Sequence, residues 1–222
     1  MKDNDWKYSI LISLIIVLHS GCKKEDDTTD LEDPVYHSVT IGTKTWMVEN
    51  LKVTHYRNGD PILNVTDDAE WDTLTAGAYC NYNNDDNFVN PYGRLYNWYA
   101  VNDVRNLAPE GWHIASEAEF RELIAYVGAE DVAGGRLKES GTAHWKSPNT
   151  NANNQFGFTA LPGGNFTGMG FMGLGESGNL WSSTEFPPDH AYYLCLSSTT
   201  GRAFIAFQSK TIGCAVRCVK NY

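Results

Sequence analysis

The chain has 222 residues, of which 42% are apolar and seven are tryptophan, enough for one domain with a packed core. Its formal net charge is −10 at pH 7, and an acidic surface repels phosphate backbones and anionic lipid headgroups. This balance excludes nucleic acid as an expected partner.

Residues 1–21 have the features of a secretory signal peptide. Lys2 and Lys7 precede a nine-residue apolar run, Ile10 to Leu18, whereas a helix needs roughly 20 apolar residues to cross a membrane. The sequence HSGC follows, and the whole pattern resembles a bacterial lipoprotein signal in which Cys22 becomes the lipidated first residue. His19 departs from this resemblance, because such signals usually carry leucine there. The alternative is an ordinary cleaved signal followed by an incidental cysteine.

Residues 22–34 predict a flexible acidic tether. After Cys22 the sequence KKEDDTTDLEDP is polar, charged and free of aromatic residues, so it cannot bury enough surface to fold. An acidic run at this place resembles the surface-export signal of Bacteroidetes-type lipoproteins. We therefore expect a cell-envelope lipoprotein of the outer membrane, exposed at the surface and held to the membrane by acyl chains on Cys22.

The cysteines beyond the tether are candidates for disulfide bonds, because an exported protein meets oxidising conditions. They are Cys80, Cys195, Cys214 and Cys218, and four cysteines allow three pairings. If CAVRC is one strand, Cys214 and Cys218 lie about 13 Å apart, too far for a bond. No C-x₂-C pair and no histidine at ligand spacing accompany them, so no metal site is expected.

The first elements of the domain, residues 35–222, are a hairpin and a short helix. The hairpin pairs Val35 to Ile41 with Thr45 to Val48 around a Gly-Thr turn. Farther along, Asn90 and Pro91 are a favourable start for a helix. Large residues then recur at helical spacing, which predicts one short helix packed on the core through Leu95, Trp98, Tyr99 and Asn102. The cluster could also be a platform for sugars.

The segment GWHIASEAEF predicts a strand that leads into a capped helix. Ser116 and Glu119 have the spacing of a capping box, and apolar residues then recur at helical spacing as far as Gly128. We therefore predict a helix over Glu117 to Val127. His113 lies on the extended segment before it, and no nearby serine or cysteine motif supplies a nucleophile. A packed, hydrogen-bonded histidine is expected.

The second half of the domain combines a long irregular segment with four strands. An Asn- and Gly-rich stretch follows the helix, and such a stretch in a compact domain is usually a functional loop or a surface wrap. The strands are predicted at Asn179 to Ser183, Tyr192 to Ser197, Arg202 to Gln208 and Cys214 to Val219.

Five motifs in order carry a family resemblance: YGRLYNWYAV, PEGWHIASEAEF, AGGRLKESGTAHWKSPNTNANNQFGFTALPGG, LWSSTE and CAVRCVK. Together they resemble the Fibrobacter succinogenes major paralogous domain from about Val39 to Lys220. The resemblance implies an exported bacterial lipoprotein and a C-type-lectin-like α+β domain with short antiparallel strands, two short helices and long irregular loops. GWHIASEAEF also resembles an element of formylglycine-generating enzymes, which share that fold.

One departure from the family pattern concerns the cysteines. Family members usually have cysteine just before the Pro-x-Gly-Trp-His motif, where this chain has Ala108. The resemblance therefore leaves Cys218 without its expected partner. Cys195 or Cys80 would substitute, or Cys218 would be free.

The function favoured by these observations is a non-catalytic binding module that recognises a carbohydrate or a surface protein. Trp145 and Trp181 would stack on a sugar face, and hydrogen bonds would come from Asn149, Asn153, Asn154 and Glu185. The alternative for the same residues is that the tryptophans are core and the asparagines close turns. Calcium-dependent lectins usually present Trp-Asn-Asp where this chain has WSS, so calcium-mediated binding is not expected there.

Two other functions stay open. The first is a surface structural or adhesion protein. The second is an enzyme of the formylglycine-generating type, whose active-site cysteines bind copper. No matching motif surrounds Cys214 and Cys218, and similarity of fold alone is weak evidence for function. We expect no cofactor.

Overall fold

The computed structural model describes residues 34–222, which belong to one compact unit. The predicted signal peptide, the lipid-attachment residue Cys22 and nearly all of the predicted tether lie outside the described residues. Among the described residues, no helix has the length and apolar character needed to cross a membrane.

Short strands and short helices alternate along the chain. The strands are β1 (Ser38–Ile41), β2 (Lys44–Met47), β3 (Leu63–Asn64), β4 (Ala78–Cys80), β5 (Leu95–Tyr96), β6 (Trp112–Ile114), β7 (Gly163–Thr167), β8 (Gly170–Leu174), β9 (Ser177–Phe186), β10 (His190–Ser197), β11 (Ala203–Ser209), β12 (Ala215–Val216) and β13 (Cys218–Lys220). The α-helices are α1 (Asp68–Asp72), α2 (Val89–Tyr92), α3 (Trp98–Val101), α4 (Glu117–Tyr126) and α5 (Glu130–Leu137), and two 3₁₀ turns are Tyr82–Asn84 and Asp86–Phe88. The fold is therefore mixed α+β, with more helices than the two that were predicted.

The strands form three sheets. The largest has the order β11-β10-β9-β7-β8, with β12 added beside β9. A second sheet has the order β1-β2-β13-β6, and a third has the order β3-β4-β5. Most neighbours are antiparallel as predicted, but β3 with β4, β7 with β9 and β12 with β9 are parallel.

The hairpin and the capped helix are confirmed. β1 and β2 pair around the predicted turn, with Ile41 opposite Lys44. Ser116 and Glu119 form the full capping box at the start of α4, and Gly128 follows the end of α4 with a φ of 116°. A positive φ is costly for residues that carry a Cβ atom, so glycine suits this position.

The single helix predicted around Leu95 and Trp98 is wrong. The backbone turns at Gly93 (φ 77°, ψ −169°), and the chain divides into α2, the short strand β5 and α3. Leu95 belongs to β5, while Asn97 begins α3 by accepting a hydrogen bond from Ala100 N. The helical spacing was fortuitous because glycine and an asparagine cap interrupt it.

The C-terminal strand is also divided. Cys214 to Val219 was predicted as one strand, but β12 and β13 join different sheets, and the buried Arg217 lies between them. The other three C-terminal strands are confirmed as β9, β10 and β11, within a few residues of the predicted ends.

Buried side chains lie on both faces of the largest sheet. On one face, Leu194 and Leu196 join a cluster with the apolar side of α4. On the other face, Ala191 and Tyr193 join a cluster that includes Trp181. A third cluster surrounds Trp71, Tyr82 and Phe166. Packing on both faces fixes the sheet as the centre of the domain.

Candidate functional site

The two tryptophans predicted to stack on a sugar are buried. Trp145 is 1% exposed, and its indole Nε1 donates a hydrogen bond to the backbone O of Ala160. Trp181 is 0% exposed and donates in the same way to Tyr96 O. A buried ring offers no face to a ligand, so the interpretation of both as stacking residues is wrong, and their role is to fill the core.

The asparagines of the long loop hold the backbone in left-handed conformations. Asn149, Asn151 and Asn154 have positive φ angles of 42°, 59° and 48°, a region that asparagine tolerates better than most residues. Asn154 also bonds to Thr159 through both atoms of its amide, and the Asn153 side chain accepts a hydrogen bond from Gln155 N. This geometry explains the asparagine content by turn formation rather than by ligand recognition.

The remaining predicted residues do not assemble around one ligand position. Asn149 is 5% exposed, and its amide nitrogen donates to Glu139 O and Gly141 O. Glu185 lies on β9 and forms an ion pair with Lys210. Glu185 lies opposite Ala191 near the start of β10, whereas Thr150, next to Asn149, donates to Ser198 O just beyond the other end of β10. The predicted hydrogen-bonding set is therefore not a single site.

All four described cysteines are free, so the structure contains none of the predicted disulfides. Cys80, Cys214 and Cys218 are buried, and burial raises the pKa of each thiol. Burial also raises the pKa of the Cys195 thiol, to about 11. Thiolates are the reactive and metal-binding form, so these side chains are poorly suited to either role. Among residues 34–222, no group of three or more His, Cys, Asp or Glu side chains could hold a metal ion.

His113 lies at a cleft of about 280 Å³. Its Nε2 atom is 2.9 Å from Glu119 Oε1, and its Nδ1 atom is 2.7 Å from Asn221 Oδ1. Ser183 lines the same cleft, but its hydroxyl is not a hydrogen-bond partner of the imidazole. The histidine is hydrogen-bonded as predicted, although it is partly exposed instead of fully packed.

A second cleft, which we call the Arg105 cleft, has a volume of about 350 Å³. It is built by α3 and the loop that follows it on one side, and by the segment before β4 on the other. Its lining comprises Thr75, Ala76, Gly77, Trp98, Tyr99, Asn102, Asp103, Val104 and Arg105. The cleft therefore combines aromatic rings, an amide, a hydroxyl and an ion pair.

The charged side chains of the Arg105 cleft are paired with each other. Arg105 donates from Nε to Asp103 Oδ1 at 2.9 Å and from Nη2 to Asp103 Oδ2 at 2.8 Å, a bidentate pair. A third contact joins Arg105 Nη1 to Asp60 Oδ2 at 3.4 Å. The guanidinium lies 4.1 Å from the ring centroid of Tyr56. The hydrogen bond from Arg105 lowers the pKa of Asp103, so the carboxylate stays ionised at neutral pH.

Gly77 lines the cleft, and the buried Tyr56 packs directly behind it. A Cβ atom on Gly77 would lie 2.1 Å from the Tyr56 hydroxyl, so only glycine fits beside it. That hydroxyl lies near the Asp103 carboxylate, and burial raises the pKa of Tyr56 to about 12. No sequence motif marks this site, because Asp103 and Arg105 stand in an ordinary loop, NDVRN.

A third cavity, of about 470 Å³, lies between the β1–β2 hairpin and α4. Its wall is mainly apolar and includes Ile41, Trp46, Leu123 and Tyr126. The only charged side chains at this cavity, among those described, are Lys44 and Glu122, whose N and O atoms are 3.6 Å apart. A larger share of its wall is apolar than in the Arg105 cleft.

Comparison with known proteins gave one match. The family model of the Fibrobacter succinogenes major domain matches residues 39–220. Searches among curated proteins and among solved structures found no match.

Proposed function

The chain belongs to the Fibrobacter succinogenes major domain family, and we propose that this member is an exported, lipid-anchored binding module that recognises carbohydrate without catalysing a reaction. In this proposal residues 1–21 direct export, Cys22 carries the lipid, and the α+β domain is C-type-lectin-like. The Arg105 cleft replaces the tryptophan and asparagine set as the binding site.

The observation that carries the proposal is the bidentate Asp103–Arg105 pair beside the partly exposed ring of Tyr99. Sugars present hydroxyl groups that donate and accept hydrogen bonds, together with apolar faces that pack on aromatic rings. Carboxylate oxygens accept, guanidinium and amide nitrogens donate, and the Tyr99 ring supplies the apolar surface. Because the pair is already fixed in the free protein, a ligand gains these bonds with little further ordering.

The surroundings of His113 support a non-catalytic role. Both ring nitrogens already have side-chain partners, so neither is available to a substrate without breaking one of these contacts. The buried thiols, with their raised pKa values, also argue against copper chemistry of the formylglycine-generating type.

The proposal is tested by probing a glycan array with the full chain purified from cells that export it. We expect binding to be lost in Tyr99→Ala and reduced at least tenfold in Asp103→Asn. Asp131→Asn is the matched control, because Asp131 is also paired with an arginine but lies far more exposed, at 87%. Glycan binding that survives both cleft substitutions would refute this site. Absence of glycan binding, together with capture by a surface protein, would favour the structural or adhesion function.

A further inference from the structure

β11 is an edge strand of the largest sheet, because only β10 pairs with it among the described strands. Lys210 N donates to Asp189 O, which places the hydrogen-bonded pairs of β10 and β11 at Ala191–Gln208, Tyr193–Ala206 and Cys195–Phe204. Hydrogen-bonded and non-hydrogen-bonded pairs alternate in an antiparallel ladder. The backbone groups of Ile205 and Phe207 therefore point away from β10.

These outward backbone groups have no hydrogen-bond partner within residues 34–222. The Ala203 end of β11 is closed, because Ala203 is fully buried and α5 approaches there through Gly134. Ile205 is partly exposed and Phe207 is 51% exposed. The open part of the edge thus begins at Ile205.

The β11 edge also lacks the usual protection against pairing. Natural proteins block open edges with charged residues, proline or distortions of the strand. The sequence of β11, AFIAFQS, contains neither a charge nor a proline. By contrast, the opposite edge strand, β8, contains Gly170 and Gly173 at φ angles of 116° and 75°, which disturb its regular extension.

An aromatic patch lies beside this edge and consists of Phe186, His190, Tyr192 and Phe207. The rings of Phe186 and Phe207 stack with centroids 4.2 Å apart and an angle of 9°. Tyr192 and His190 contact this stack edge-on at 5.3 Å and 5.8 Å. Phe207 is 51% exposed and belongs to β11 itself, so the patch adjoins the unpaired backbone.

We propose that the β11 edge is the docking surface for a second copy of this chain, which pairs antiparallel about a two-fold axis at Ala206. This register sets Ile205 of each copy opposite Phe207 of the other, and each such pair exchanges two N–H···O bonds. The outward groups of one copy then satisfy those of the other, and both Phe207 side chains are covered. A second copy brings the same uncharged strand to the contact, so that each exposed Phe207 meets the partly exposed Ile205 of the other copy. This is the self-complementarity that a two-fold contact requires.

The register is tested by cross-linking the full chain. The two Ala206 residues would form a non-hydrogen-bonded pair with Cα atoms about 4.5 Å apart, within the range for a disulfide. Ala206→Cys, made together with Cys195→Ser to remove the native thiol of the adjacent strand β10, should form a covalent dimer under mild oxidation. Thr199→Cys in the same background is the control, because it lies in the turn before β11 and should stay monomeric. Equal cross-linking of the two variants, or none in Ala206→Cys, overturns the proposed register.

The association itself is tested by sedimentation of the full chain in detergent over a range of concentrations. We expect a monomer–dimer equilibrium that Phe207→Lys shifts to monomer by at least tenfold in the dissociation constant. Met172→Lys is the matched control, since Met172 is 49% exposed on the other edge strand and should leave the equilibrium unchanged. A wild-type chain that is monomeric at every concentration, or equal effects of both lysines, refutes the docking surface.

Discussion

Asn50 Oδ1 accepts hydrogen bonds from both Nε and Nη2 of Arg217, at 3.1 and 2.9 Å, in the interior of the domain. The two side chains are 2% and 1% exposed. Arg217 also donates to Phe158 O and lies over the Phe158 ring, while Asn50 donates to Tyr92 O. One buried cation thus joins segments that are distant in the sequence, and no carboxylate takes part in these bonds.

We expect Asn50→Ala to destabilise the domain by about 3 kcal/mol, because the buried guanidinium would lose its main acceptor. Arg217→Met should cost less, since it removes the charge together with its need for partners. Urea unfolding of the two variants measures the difference. If Arg217→Met proved less stable than Asn50→Ala, the Asn50 amide would not be the main group that stabilises the buried guanidinium.

Lys138 is a second buried cation, held by backbone carbonyls. Its Nζ donates to the oxygens of Thr150, Ser197 and Thr200 at 3.2, 2.7 and 2.9 Å, which ties the long loop to the β10–β11 connection. We expect Lys138→Met to lower the free energy of unfolding by about 1–3 kcal/mol at pH 7, because these carbonyls lose their donor. Thermal unfolding with Lys146→Met as an exposed control measures this loss.

The lowered pKa of Lys138 predicts how the free energy of unfolding depends on pH. Burial lowers its pKa from 10.5 to about 8, so between these values the unfolded chain binds more protons than the folded chain. The free energy of unfolding contributed by this group then rises with pH. The advantage of the wild type over Lys138→Met should grow from pH 8 to pH 10.5, and a shrinking advantage would contradict the pKa direction.

Local sequence signals predicted local structure well in this domain. Ser116, Glu119 and Gly128 act within one helix, so their spacing alone predicted the start and end of α4 almost to the residue. The β1–β2 hairpin was predictable for the same reason. Leu95 was misassigned because its β5 pairing depends on β4, a partner that no local pattern reveals.

The candidate site was less predictable, because burial and convergence are properties of the whole fold. Trp145 lies in an irregular, Asn-rich stretch that reads as surface, yet packing against α4 and the sheet buries it. Asp103 and Arg105 matter only because Tyr56 and Asp60, more than 40 residues earlier, lie against them. Contacts at such separations leave no periodic signal in the chain.

Glu119 should make the free energy of unfolding depend on pH in the acidic range. Burial alone would raise its pKa, but hydrogen bonds from Ser116 and His113 lower it overall from 4.5, and Lys44 Nζ lies 3.3 Å away. A carboxylate whose pKa is lower in the folded state stabilises the protein when the pH lies above its pKa in the unfolded chain. This stabilisation is lost as the pH falls through the pKa of the folded state. We expect Glu119→Gln to cost about 1.5–3 kcal/mol at pH 7.

Below pH 4.5 the difference in the free energy of unfolding between wild type and Glu119→Gln should decrease, because the Glu119 carboxyl group becomes protonated and uncharged. Glu122→Gln is the control, because Glu122 is mostly exposed and its only ion pair among the described side chains is with Lys44. Chemical unfolding at several pH values measures both. A cost for Glu119→Gln that is constant from pH 3 to pH 7 would show that the carboxylate charge is irrelevant.

Cys218 packs in the same buried cluster as Ala108, the position where related sequences were expected to carry cysteine. Arg57 donates two hydrogen bonds to Ala108 O and also lies near the Cys218 thiol, whose pKa it acts to lower against the larger effect of burial. The two residues therefore share one environment. We expect Ala108→Cys to form a disulfide with Cys218 in the exported chain, and closing so long a loop should stabilise the domain by about 2–4 kcal/mol.

Thiol titration in denaturant gives the decisive count for this variant. Ala108→Cys adds a cysteine, yet it should show one free thiol fewer than the wild type, and reduction should abolish its added stability. Ala108→Ser controls for the change in side-chain size, and Ala108→Cys with Cys218→Ser controls for pairing with another thiol. An extra free thiol in Ala108→Cys would mean that the loop before β6 holds position 108 away from Cys218, against their shared cluster.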